Sequence, residues 1–108
     1  MELNQYQKLA LRTAGHRHNT QKTLTNTALG LAGESGEVAD IIKKTFYHGH
    51  PLDKEALYKE LGDVLWYLAV MADALGYNLD EIAQANVDKL RARYPEGFSE
   101  ERSLNRTD

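Results

Sequence analysis

The sequence contains no cysteine. That excludes disulfides, thiolate nucleophiles and zinc–thiolate sites together, and it fits a reducing compartment. Long apolar runs are missing too. No stretch approaches the roughly 20 residues that span a bilayer, and the N-terminal MELNQYQKLALRTAG has no basic region leading into an apolar one. The expectation is a soluble, cytoplasmic protein with no membrane partner. There is no excess of positive charge: the net charge of −3 argues against a broad surface for a nucleic acid polymer. Bound metal can still reverse the field locally and admit a small anion. Strand-like alternation, internal repeats and low-complexity linkers are not found. The 108 residues fit one domain, 1–108. A chain this short buries only roughly 60–70% of its unfolded surface, which favours oligomerisation.

What is present is helical periodicity. Four helices are predicted, and the fold class is all-α, four-helix-bundle-like. Asn4 is placed to cap the first, which carries Leu3, Tyr6, Leu9 and Ala10 and ends near Gly15. HRHNTQKTLTN reads as a polar linker, with Asn26 or Thr25 capping a second helix that runs to about Phe46. Leu24, Leu31, Val38 and Ile42 form its apolar stripe. The turn YHGHPLD follows. Asp53 caps helix three, which ends at about Leu75 before Gly76. Asn78 and Glu81 form a capping-box pattern for helix four, which stops near Tyr94 before Pro95. Residues 95–108 read as a polar tail. Helix three is apolar on two sides. Leu57, Leu61, Val64, Leu68, Met71 and Leu75 form one stripe, and Trp66 and Val70 lie roughly opposite. Such a helix is buried on more than one side, so homodimerisation is expected to complete the core.

Two acidic pairs interrupt this pattern. GESGEVADIIKK carries Glu34 and Glu37, and KELGDVLWYLAV carries Glu60 and Asp63, each pair at i, i+3 beside an apolar stripe. The short turn requires the two helices to run antiparallel, which brings the acids to one seam at similar heights. Four ionised carboxylates there repel one another, and some would take up protons. A hard divalent cation, Mg²⁺ or Mn²⁺, removes that repulsion. Acidic i, i+3 pairs are also common on solvated faces, and the spacing alone leaves both readings open.

The segments NTALGLAGESGEVADIIKK, KELGDVLWYLAVMADALG and NVDKLRARYPEGF resemble MazG-like nucleoside triphosphate pyrophosphohydrolases. The resemblance rests on E-x-x-E, here Glu34-Ser-Gly-Glu37, and E-x-x-D, here Glu60-Leu-Gly-Asp63. It implies that these four acids bind Mg²⁺. It also implies cleavage of a nucleoside triphosphate between the α- and β-phosphates, giving a monophosphate and pyrophosphate. The core would be a helical bundle built from two chains, as a homodimer or a dimer of dimers. Under this reading Glu37 is the candidate to orient or deprotonate the attacking water, and clearing surplus or non-standard nucleotides is the implied role. Related enzymes act on dUTP or phosphoribosyl-ATP, and a non-catalytic nucleotide-binding or dimerisation module is the reading of a different class.

The phosphates need cations or donors. Asn86, Lys89 and Arg93 fall on one face of helix four at i, i+3, i+7, a stripe suited to triphosphate oxygens. N-x-x-K-L-x-x-R-Y-P resembles the family's phosphate-contacting segment. Lys44 shares the edge of Glu37 and is within reach of substrate. Tyr67 resembles a pocket tyrosine of deoxycytidine triphosphate pyrophosphatases. Gln5, Tyr6 and His18 are candidates for the pocket wall. Gly30, Gly33 and Gly36 do not make a phosphate loop, because the Gly-Lys-Ser/Thr ending and the preceding strand are missing. His16 with His18, and His48 with His50, are loop pairs with too few ligands for zinc. Trp66 reads as core or interface.

Overall fold

The computed structural model describes residues 1–15 and 17–106. Among them five helices follow one another: α1 Leu3–Leu11, α2 Thr20–Tyr47, α3 Lys54–Ala74, α4 Leu79–Arg93 and α5 Glu100–Leu104. No strand forms among these residues, so the all-α expectation holds. α2 and α3 pack along each other as a hairpin, and α1 lies against α3 and α4.

Most of the predicted punctuation is where the sequence puts it. Asp53 accepts a hydrogen bond from the Ala56 N–H at 2.9 Å. Asn78 and Glu81 exchange both bonds of a capping box, at 2.8 and 3.2 Å. Gly76 closes α3 at φ +85°, and the Tyr77 N–H reaches back to the Ala72 carbonyl at 2.9 Å, the 6→1 bond of a glycine-terminated helix.

Three boundaries differ from expectation. α1 begins at Leu3, and the Gln5 side chain accepts from the Glu2 N–H at 2.8 Å; Asn4 is inside the helix and bonds Asp80 instead. α2 begins at Thr20, capped by Asn19, whose Oδ1 accepts from the Lys22 N–H at 3.0 Å. Its first turns are rich in threonine, which reads as loop. Here the hydroxyls of Thr23, Thr25 and Thr27 each donate to the carbonyl four residues back, at 2.8–3.1 Å, so they bond within the helix rather than compete with it. The tail is also not uniformly irregular. Ser99 caps α5 by accepting from the Arg102 N–H, and Tyr94 and Phe98 stack with ring centroids 5.3 Å apart. Thr107 and Asp108, the end of the predicted tail, lie outside the described residues.

The core sits where α1 crosses α3 and meets the start of α4. Ala10, Ala69, Ala72 and Leu79 are buried, with Tyr6 and Trp66 packed against them. Buried Gln7 stitches the three helices together. Its Nε2 donates to the carbonyls of Ala69 at 3.0 Å and Tyr77 at 3.2 Å, and its Oε1 accepts from the Leu79 N–H at 3.1 Å. Trp66 Nε1 donates to the Ala10 carbonyl and to Thr13 Oγ1 at 3.2 and 2.8 Å, so the Trp66–Val70 side of α3 faces α1. On the opposite stripe Leu61, Leu68 and Leu75 are exposed, Leu61 by 58% and Leu75 by 54%, while Leu57, Val64 and Met71 are half-buried. Among the described residues the largest fully buried side chain is Thr27, so one chain encloses little apolar volume.

Replacing Gln7 with leucine removes all three bonds and leaves the buried Leu79 N–H, at the first residue of α4, without a partner. The Gln7→Leu protein is expected to lose about 2–4 kcal/mol of stability in urea denaturation. A loss below about 0.5 kcal/mol, within the range of a neutral surface change, would show that water replaces the amide.

Candidate active site

The α2–α3 seam brings three of the predicted acids together. Glu34 from α2 and Glu60 and Asp63 from α3 each offer a carboxylate oxygen, and these atoms lie within 4.8 Å of one another. Glu34 and Glu60 are half-buried and Asp63 is exposed. Glu37 stands outside this group and is exposed. The same i, i+3 spacing keeps Glu60 and Asp63 together on α3, so spacing alone does not set Glu37 apart. Its charge still contributes to the field at Glu34.

The electrostatics follow from the crowding. The Glu34 carboxyl is pushed up to about 7, first through a hydrogen bond with Glu60, then by burial and by repulsion from Glu60, Asp63 and Glu37. Oε2 of Glu60 is buried and has no hydrogen-bond partner. Either a proton on Glu34 or a cation satisfies such an oxygen. The donor set, all carboxylate oxygens, fits a hard divalent cation. Asp63 also raises the pKa of the partly buried Tyr6 phenol, after burial itself, so α1 supplies a polar group near the acids.

Further along α2 two lysines share one carboxylate. Asp40 lies between Lys44 at 2.9 Å and Lys43 at 3.3 Å, and these lysines, Lys44 foremost, hold its carboxyl below the usual range. Lys44 is raised by Asp40 and, less, by Glu37. Sequence reasoning missed Asp40, although its i, i+3 and i, i+4 lysines are the signal that finds it. At the other end Tyr67 lies against Gly30 of α2, with its ring edge-on to Trp66 at 5.0 Å and 89°.

The helix-four residues lie apart. Asn86 and Lys89 are exposed on α4, which packs on α1 and α3. Among the described residues neither bonds to the acids. Arg93, its guanidinium 6.0 Å from the centroid of the Tyr94 ring, lines a C-terminal cleft of about 660 Å³ with Phe98, Arg102 and Arg106. The acids do not line that cleft. Of the histidines, His16 lies outside the described residues, and His18, His48 and His50 join no acid cluster among those described.

The raised Glu34 carboxyl sets a pH dependence for the metal-free protein. Between its ordinary 4.5 and about 7 the folded chain holds a proton that the unfolded chain has released, so stability from this group is present at low pH and lost as pH rises through that window. Thermal unfolding in EDTA is expected to show a melting temperature that falls across the window, and Glu34→Gln should flatten that part of the slope. An unchanged slope in the variant would remove Glu34 as the titrating group.

Residues 22–98 match the MazG nucleotide pyrophosphohydrolase domain family. The chain is 34% identical over 87 residues to the Gene 37 protein of Mycobacterium phage L5, covering 77% of this chain and 76% of that one. It is 34% identical over 89 residues to dCTP pyrophosphatase 1 of Rattus norvegicus, covering 77% of this chain and 52% of the relative. The Bos taurus protein of the same name gives 33% identity over 89 residues, covering 77% and 53%. The chain thus spans about half the length of these pyrophosphatases. No solved structure matches it significantly. With E-x-x-E on α2, E-x-x-D on α3 and this match over residues 22–98, the chain belongs to the MazG nucleotide pyrophosphohydrolase domain family.

Proposed function

We propose that the chain hydrolyses nucleoside triphosphates at the α–β phosphoanhydride, with deoxynucleotides such as dCTP as the first substrates to try. The observation that carries this reading is the carboxylate triad of Glu34, Glu60 and Asp63 with its unpartnered Glu60 Oε2. The names of the mammalian relatives support the substrate class.

Glu34, Glu60 and Asp63, together with Glu37, would hold a divalent cation, Mg²⁺ or Mn²⁺. When bound, the cation supplies positive charge against phosphate oxygens. Glu37, exposed and unencumbered by the triad, orients the attacking water and takes its proton. One P–O bond of the anhydride breaks, water's oxygen ends on one product, and nucleoside monophosphate and pyrophosphate leave. Lys44 faces the phosphate tail, and Tyr67 the nucleoside. Asn86, Lys89 and Arg93 reach phosphate from a second copy of the chain or after closure of α4.

The second copy also covers the exposed leucines of α3. Leu61, Leu68 and Leu75, together with Ile42 and Phe46 of α2, are 40–71% exposed, and exposed apolar patches of this kind mark interaction surfaces. The working unit is therefore a homodimer or a dimer of dimers. No helix among the described residues is long and apolar enough to cross a membrane, and a substrate drawn from the nucleotide pool places the reaction in the cytoplasm.

Product analysis on a panel of ribo- and deoxyribonucleoside triphosphates tests the reaction, with Mg²⁺ and with EDTA. Metal-dependent release of monophosphate and pyrophosphate is expected, and orthophosphate as the only phosphate product would sink the α–β assignment. Glu37→Gln is expected to lower kcat by about 10²–10⁴-fold, and Asp63→Asn to raise the Mg²⁺ requirement; wild-type kinetics in both would remove the acids from the site. For assembly, sedimentation equilibrium should find a dimer or larger, with Leu68→Glu shifted toward monomer. A monomeric wild type would reject the shared core.

A further inference from the structure

The chain is acidic overall, at −3, yet its C-terminal end gathers arginine. The cleft of about 660 Å³ there is lined by Arg93 of α4, Arg102 of α5 and Arg106 just beyond it. Small-molecule sites span roughly 300–1,000 Å³, so the volume is that of a ligand site. The matched domain ends at residue 98, which leaves Arg102 and Arg106 outside it.

Local structure brings the arginines together. Gly97, at φ +90°, turns the chain after α4, and its N–H reaches back to the Tyr94 carbonyl at 3.1 Å. The Phe98 ring packs on Tyr94, and Ser99 then caps α5. Arg102 and Arg106, four residues apart, thereby come to share a cleft with the last residue of α4. Glu96 and Glu101 line it as well. Neither glutamate enters an ion pair among the described residues, and Arg102 enters none there either. Three guanidinium groups thus face two carboxylates that leave Arg102 unclamped. Each guanidinium is a planar fork able to bind two oxygens at once. A single phosphate offers few oxygens to three such forks; linked phosphates offer enough.

We infer that this cleft is an anion site in its own right, which takes a polyphosphate group, free pyrophosphate or the tail of a nucleotide, without a metal ion. The inference goes beyond the pyrophosphohydrolase reading and stands apart from it. The two sites differ in what they require. Crowded carboxylates repel an anion until a cation arrives, whereas arginine carries its charge at every working pH. The acids do not line the cleft, so removing metal silences one site and leaves the other. Arg93 serves both readings; Arg102 belongs to the cleft alone.

Calorimetry with inorganic pyrophosphate in EDTA tests the site. Binding is expected with a Kd below about 1 mM, and orthophosphate should bind about tenfold or more weakly. dCTP in EDTA is the second arm. Tighter binding than pyrophosphate assigns the site to nucleotide tails, and the reverse order to free pyrophosphate. Arg102→Gln should weaken pyrophosphate by about tenfold or more. Arg102→Lys, which keeps the charge and loses the fork, should weaken it less. Arg102 is exposed on a five-residue helix, so these changes leave the body of the fold intact, as circular dichroism will check. Glu60→Gln, at the triad, should leave the affinity within about twofold. No binding in EDTA, equal affinity for orthophosphate, or unchanged affinity in Arg102→Gln would each overturn the site, whether or not the protein turns over nucleotide. A protein that binds pyrophosphate in EDTA through Arg102 and turns over no nucleotide overturns the reaction and leaves this site standing.

Discussion

Carboxylates held within 4.8 Å of one another repel, and that repulsion organises this molecule. Helices are the right supports for it, because a helix fixes its side chains at intervals the chain cannot easily relax. Glu60 lies far enough into the seam that one oxygen loses water without gaining a donor. Glu34 answers by retaining a proton to near neutrality. Without a cation the site is therefore balanced between proton and charge. A cation displaces the proton and competes with it, so metal affinity and acidity are one property of the seam.

α3 divides its labour by face. One side carries Glu60, Asp63 and Tyr67 toward α2. A second carries Trp66 to α1, where its indole finds a carbonyl and a hydroxyl. The third exposes Leu61, Leu68 and Leu75. A core of alanines and one leucine allows close approach of the helices but buries little apolar area. The chain thus gains precise placement of its acids more readily than bulk stability.

Much of this was legible in the sequence wherever the cause was local. Asp53, Asn78 with Glu81, and Gly76 act on backbone groups within a few residues, and their types announce it. The start of α2 was not legible, because threonine and asparagine suit loop and cap alike, and only the back-bonded hydroxyls resolve the choice. The wheel placed Glu34 and Glu37 on one edge, yet a seam is narrower than an edge, and only Glu34 enters it. Asn4 looked like a cap and turned out to join α1 to Asp80, 76 residues away. Gly30 looked like any other helix glycine, since its meaning lies in a ring on another helix, and register between helices is not written in either one alone.

The Gln7 stitch has a kinetic consequence. α2 and α3 are joined by a short turn, so their pairing closes a small loop and can form early. The bonds from Gln7 to Ala69, Tyr77 and Leu79 span 62 to 72 residues, and closing them must wait until α3 and α4 exist to receive them. α1 then docks after the α2–α3 pairing, and where it opens the Tyr6 phenol leaves the acids with it. Trp66, whose indole bonds to α1, becomes a natural reporter of that opening, a local unfolding below the global one.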